Sequence, residues 1–271
     1  MLQCNTNSSH SKLWEDNMKL YFKIVAMHVK SQLQHRTAFL ALSLGQALLT
    51  FSGIFAVIIL ASNVTTVEGF STPEILLAGA VVTLSFSIAE CVFRGFDTFP
   101  RLLGNGQFDR ILVRPQNVLL QVLGSTMELS RFGRIVVASI ILVVVSQTVV
   151  LYHIWLLVIM VVSGIVLFGS LFIIYGSCSF FTTDSLEVFN ILTDGGREFG
   201  QMPYGLYGKN ILKVLTFILP LACFQYYPLL VVLGRDVPTY FQWTPLACFL
   251  FVIPALVMWR WGRNHYRSTG S

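Results

Sequence analysis

IVVASIILVVVSQTVVLYHIWLLVIMVVSGIVLFGSLFIIYGSCSFFTT, residues Ile135–Thr183, contains no Asp, Glu, Lys or Arg. A helix rises about 1.5 Å per residue and about 20 apolar residues cross the hydrocarbon of a bilayer. The run is therefore too long for one crossing and about right for two, with its natural break at Leu151–Tyr152–His153. Similar stretches lie on either side. Thr37–Thr66 carries no charge, Ile75–Phe93 is interrupted only by Glu90, and Val214–Gly234 and Val237–Trp259 follow the central pair. The expected fold is all-α and integral to a membrane. Its six transmembrane helices are placed at 37–62, 75–93, 134–151, 154–178, 212–234 and 240–260.

Composition agrees: 55% hydrophobic and 11% charged residues lie outside the range of soluble globular chains. The five cysteines are scattered without a CxxC or a Cys/His cluster, which argues against zinc and against a disulfide framework. The net charge of +5 is segregated along the chain rather than gathered into a patch, so the partner implied is a membrane surface and not nucleic acid. With six crossings, all of the 18 Lys and Arg residues except Arg235 fall on one side. The positive-inside rule then puts both termini and the two large loops in the cytoplasm.

Residues 1–36 form a polar, basic arm ahead of the membrane domain, 37–271. The arm does not read as a cleavable signal peptide, because the apolar run behind it is too long for one. From Leu13 to Lys30, Trp14, Met18, Tyr21, Phe22, Val25 and Val29 recur at helical spacing, with lysines on another face. This is an amphipathic helix of the membrane interface.

The larger loop, RGFDTFPRLLGNGQFDRILVRPQNVLLQ (Arg94–Gln121), reads as helix, tight turn at Gly104–Asn105–Gly106, short helix and new helix, with Pro115 opening the last. Asp97 and Arg101 have the i,i+4 spacing of an ion pair. The second loop repeats the arrangement: Thr183 or Asp184 caps a helix containing Glu187 and Phe189, and Gly195–Gly196 ends it. Residues alone leave two readings open: docking elements for a soluble motor, or basic connectors that only fix topology.

GQFDRILVRPQNVLLQ (Gly106–Gln121) resembles the G-x-(hydrophobic)-D-x-x-L-x-R-P signature of ABC-2-type permeases, in the six-crossing branch of such transporters. LTFILPLACFQYYPLLVVLGR (Leu215–Arg235) is similar to that branch's P-x-x-x-x-x-Y-Y-P pattern. The resemblance implies a non-catalytic transmembrane subunit of an ATP-driven transporter, most often an exporter. Its implied partners are two ATPase subunits, which hold ATP and Mg, and an identical or homologous second permease in a bacterial cytoplasmic membrane. By motif, Gly106, Phe108, Asp109, Leu112, Arg114 and Pro115 would shape the first ATPase-coupling loop, and Asp184, Glu187 and Phe189 belong to the second. The chain itself has no GxxxxGK[ST], HExxH or GxSxG sequence, so no nucleotide, metal or other cofactor is expected on it.

Glu90, the one carboxylate within an apolar crossing, is a candidate intramembrane site, weighed against a local ion pair with Arg94. Pro220, Pro228 and Pro254 are candidate helix hinges. Glu128 and Arg131 are spaced to pair at i,i+3. Gly164, Gly169 and Gly176 permit close helix approach, within the subunit or across a dimer. Tyr226, Tyr227, Tyr240, Trp243 and Trp261 suit the membrane boundaries. Since no other charge falls at mid-crossing, the path is expected to be apolar and its cargo amphipathic or lipophilic. A stand-alone secondary carrier and a non-transporting membrane scaffold are the alternatives.

Overall fold

The computed structural model describes residues 6–62, 69–182 and 187–267. Among them there is no strand, and the helices follow in the order α1 Thr6–Gln34, α2 Arg36–Ser62, α3 Thr72–Asp97, α4 Phe99–Gly104, α5 Gln107–Leu112, α6 Val118–Leu123, α7 Phe132–Thr148, α8 Ile154–Cys178, α9 Glu187–Phe199, α10 Lys209–Phe217, α11 Leu221–Phe224, α12 Tyr226–Val232, α13 Leu246–Leu250 and α14 Val252–His265. Five helical stretches are long and apolar enough to cross a bilayer: α2, α3 continued into α4, α7, α8, and the last stretch through α13 and α14.

The third helix is the axis of the packing. Of its most apolar window 78% is buried, against 11% for α2, because α7 and α8 both lie along it. Three glycines permit the approach of α8: a Cβ on Gly164 would meet Ser85, one on Gly169 would meet Phe93, and one on Gly176 would meet Phe96. The small-residue seam of the fourth crossing therefore closes within this subunit. Phe86 and Phe168 meet edge to face across it at 5.2 Å.

Each end of α3 is fastened differently. At its start the Ser71 N–H donates to the Glu74 carboxylate at 2.7 Å, a capping-box contact, and Pro73 sits where no intrahelical donor is needed. Glu74 also pairs with Arg235 at 3.1 Å. At its other end, α4 to α6 fold beneath α3. A Cβ on Gly95 would stand 1.9 Å from the Val122 carbonyl oxygen, so the backbones of α3 and α6 touch there.

The two surfaces are called here the Glu74 face and the Asp97 face. Tyr266 bonds to Asp109, and Ile24 of α1 packs on Gly124, so the C-terminal segment and the middle of α1 both meet the Asp97 face. Exposed Tyr240 and Trp243 belong to the short turn leading from the Glu74 face, and exposed Trp261 to the end of α14 on the Asp97 face. That distribution matches two interfacial aromatic belts.

The region after α8 departs from the straight fifth helix expected at 212–234. α10 and the α11–α12 segment are bent by 89° around Ile218–Pro220. Proline has no N–H and crowds the preceding turn, and here Pro220 breaks the run outright. The bend reaches Cys248, whose Sγ lies 3.4 Å from the Pro220 oxygen. α12 climbs back to the Glu74 face, where the Tyr152 N–H donates to the Val232 oxygen at 3.0 Å. The stretch before α10 is near the same face, since Gly205 abuts Tyr226 and Tyr226 stacks toward Phe70. The straight span expected here is a pair of helices set nearly at right angles. Gln225, fully buried, fixes the α11–α12 limb: its Oε1 accepts from the Tyr204 N–H, and its Nε2 donates to the Gly200 and Met202 oxygens.

The helix α9 takes up the position alongside α3. Gly79 abuts Gln201, Gly200 abuts Val82, and Arg197 lies over Phe86, so α9 runs antiparallel to α3 and into the layer. Gly195 and Gly196 do not end it, contrary to the sequence expectation. Gly196 lies within α9 because it is the residue that fits against Leu221 and Phe168. One further expectation is corrected: Arg197 lies over Phe86 and not on the basic surface.

Candidate functional site

The loop motif folds as a wedge on the Asp97 face. Gly106 has φ +64°, the left-handed conformation that lets α4 turn directly into α5. Phe108 then points inward and is fully buried. It meets Phe99 at 5.1 Å, Phe180 at 5.5 Å and Tyr266 at 5.0 Å between ring centres, and Trp259 closes the group at 5.2 Å from Phe99. Offset and edge-to-face ring pairs hold both area and orientation, so this cluster ties the wedge to α8, α14 and the C-terminal segment together. Beside it the Tyr266 hydroxyl donates to Asp109 Oδ1 at 3.2 Å. Burial, and then the Asp109 carboxylate, raise the Tyr266 phenol above its ordinary pKa, so it remains a donor at neutral pH.

The other side of the wedge is open. Leu112, Val113, Arg114 and Pro115 are all exposed, Val113 to 85%. Pro115 does not open the next helix. α6 starts at Val118, capped by Asn117, whose Oδ1 accepts from the Leu119 N–H at 3.0 Å. Pro115 is thus left at the protruding bend, and the motif residues divide into an inward anchor, Phe108 with Asp109, and an outward tip, Leu112 to Pro115.

Above the wedge lies a cluster that the sequence reading foresaw only in part. Glu90, 5% exposed, accepts from Arg131 and Arg134 at 3.0 Å each and lies 3.7 Å from Arg94. Arg94 pairs more closely with Glu128, at 2.9 Å, and with Asp97. The expected Glu128–Arg131 pair is present at 3.4 Å, whereas Asp97 turns to Arg94 rather than Arg101. Three carboxylates and three guanidiniums therefore balance, which is the condition for holding such charges out of water. Gln46 of α2 adds a 2.7 Å acceptor for Arg134. Gln32 of α1 bridges the Met127 oxygen and the Leu129 N–H. The sequence showed Arg131 only as a local partner of Glu128; the signal missed was that Arg131 and Arg134 both reach a carboxylate 41 and 44 positions earlier.

The remaining candidates are not brought to this place. Asp184 lies outside the described residues, and Glu187 and Phe189 fall in the first turns of α9. Pro220 lies at the bend between α10 and α11, while Pro228 lies inside α12 without a break. Pro254 follows the interruption at Phe251 that separates α13 from α14. Among the described residues no group of His, Cys, Asp and Glu could hold a metal ion.

The structure thus combines an axial helix, a wedge packed beneath it through aromatic rings, and an exposed tip. The sequence model of the ABC-2 family transporter protein matches residues 47–270, and the chain belongs to that family. It is a multi-pass membrane permease of the ABC transporter class. Permeases of this family are typically non-catalytic membrane subunits and generally work with ABC ATPase subunits. No curated protein and no solved structure matches the chain.

Proposed function

We propose that the chain is the membrane half of an ATP-driven exporter in a bacterial cytoplasmic membrane, with the Asp97 face toward the cytoplasm. Two such permeases, identical or homologous, would pair with two ATPase subunits that bind ATP and Mg. The observation that carries this reading is the tip Leu112–Pro115, exposed on a wedge whose inner side is packed around Phe108. A loop that only fixed topology would need no such anchor. Closure of the ATPases would push the tip, and two connections would pass the push inward: the backbone contact of Gly95 with Val122, and the Glu90 cluster that ties α3 to α7. A rigid-body rocking of helices against the second permease would follow. Glu187 and Phe189, at the start of α9, would supply the second contact together with Asp184, which precedes them in the sequence.

The cargo on this reading is amphipathic or lipophilic, supported by the long uncovered apolar side of α2, where Leu48, Leu49, Phe51 and Phe55 are all more than half exposed. Purifying the tagged chain from its native host tests the assignment. The wild type should bring an ATPase with it. A Val113→Asp, Arg114→Glu double variant should fold normally, because both side chains are exposed, and should lose at least about 90% of that ATPase, a change of about 1.4 kcal/mol in affinity or more. A wild-type preparation with no ATPase would favour the secondary carrier.

A further inference from the structure

The helix α9 carries charge to mid-depth. Phe86 is 14 residues from Thr72 and 11 from Asp97, in the middle of α3, and the Arg197 guanidinium lies 5.3 Å from its ring centre. Arg134 approaches the same ring at 6.0 Å. α9 thus brings a charge beside the middle of α3 although it is not itself one of the spans. Both guanidiniums border a cavity of about 270 Å³ between α2, α3 and α9, with Thr83 on one wall and Gly53 on the other.

The donors in this cavity are incompletely used. Arg134 is 7% exposed and gives Nη1 to Glu90 and Nη2 to Gln46, yet its Nε has no acceptor among the described residues. Arg197 gives Nη2 to its neighbour Glu198, an exposed carboxylate that also lines the cavity, and its buried Nε likewise has no acceptor. Buried N–H groups are nearly always satisfied, and ionisable side chains at membrane depth mark pathways or binding sites. The α2 wall offers the opposite chemistry, an apolar helix surface left largely exposed among the described residues.

Resting on the permease reading, we propose that this cavity receives the anionic head of an amphiphilic cargo. A carboxylate, phosphate or sulfate would pair with the guanidiniums of Arg134 and Arg197 that border the cavity, and the apolar chain would lie along α2. Phe86 would form the floor under both guanidiniums. An anion between them would meet two positive charges, whereas a cationic head would be repelled and an uncharged hydroxyl would accept without the added strength of an ionic pair.

The test measures binding of radiolabelled palmitate to the full chain in a neutral detergent, with hexadecyl phosphate, hexadecanol, hexadecylamine or inorganic phosphate as competitors. Hexadecyl phosphate should compete, and the other three should not at matched concentration. Losing a charge-assisted hydrogen bond should weaken binding about tenfold or more in Arg197→Gln. Gly53→Leu should do the same by filling the cavity, and it guards against misfolding, since a Cβ at Gly53 meets nothing within 4 Å. Arg263→Gln, an exposed arginine of α14, should bind as wild type. Equal competition by the alcohol and the amine, or unchanged binding in both cavity variants, would overturn the proposal. Equal competition by inorganic phosphate would also overturn it, in favour of a free-anion site. The assay needs no ATPase, so it can fail while ATPase co-purification succeeds, or the reverse.

Discussion

Replacing Glu90 with leucine is expected to cost the protein about 3–5 kcal/mol of stability, the usual consequence of removing one partner from a buried ion network. The carboxylate is the shared acceptor of Arg131 and Arg134, whose side chains are 13% and 9% exposed. Without it, Arg134 stays inside the helix layer with no carboxylate partner, and Arg131 keeps only Glu128, at 3.4 Å. Heating the detergent-solubilised protein and following the folded fraction by size-exclusion should show a much lower midpoint for Glu90→Leu. Arg94→Ala should be milder, since Arg94 is 24% exposed and lies 3.7 Å from Glu90. A second substitution, Arg134→Leu, added to Glu90→Leu should recover part of the loss by removing one stranded charge. Wild-type stability in Glu90→Leu would mean that the cluster does not hold α3 to α7.

Gly95→Val should be nearly as damaging, for a steric reason. The new Cβ would stand 1.9 Å from the Val122 oxygen and 3.0 Å from the Leu123 oxygen, both backbone atoms that no side-chain rotation can clear. Overpacking usually costs about 1–3 kcal/mol, and this position belongs at the upper end. α6 must move away from α3, and the 3.1 Å contact between the Thr98 and Thr126 hydroxyls goes with it. A cysteine pair spanning α3 and α6 should then cross-link poorly compared with the same pair on the wild-type background. Gly104→Ala is the contrast: nothing lies within 4 Å of its Cβ, and stability should be unchanged or slightly higher.

How far the sequence could be read follows from the same physics. Uninterrupted apolar runs located α2, α3, α7 and α8 to within a few residues, because burial in hydrocarbon demands length and hydrophobicity and little else. Those two criteria also misled at the end of the chain. Leu215–Arg235 has the composition of a span, and only Pro220 and Pro228 hinted that it would bend. The helix α9 fails a hydropathy reading, since Asp194, Arg197 and Glu198 lie within or at the edge of one short helix. Its place beside α3 depends on Gly79, Gly196 and Gly200 accepting close neighbours, a property of pairs of distant residues.

The site divides in the same way. Gly106, Phe108, Asp109 and the exposed tip were marked by their motif, and the structure adds what each does: turn, anchor, tie to Tyr266, and free surface. The Glu90 cluster was legible only as local pairs. Its members come from α3, the turn before α7 and α7 itself, so the partners of Glu90 became visible when α7 was laid against α3.

A photo-activatable amino acid placed at Val113, with a second chain labelled at Tyr240 on the opposite face, tests the account most directly. Irradiation of intact cells should give a covalent adduct between position 113 and a soluble ATP-binding polypeptide, and no such adduct from position 240. An ATPase adduct from position 240, or none from 113 in a well-folded protein, would contradict it.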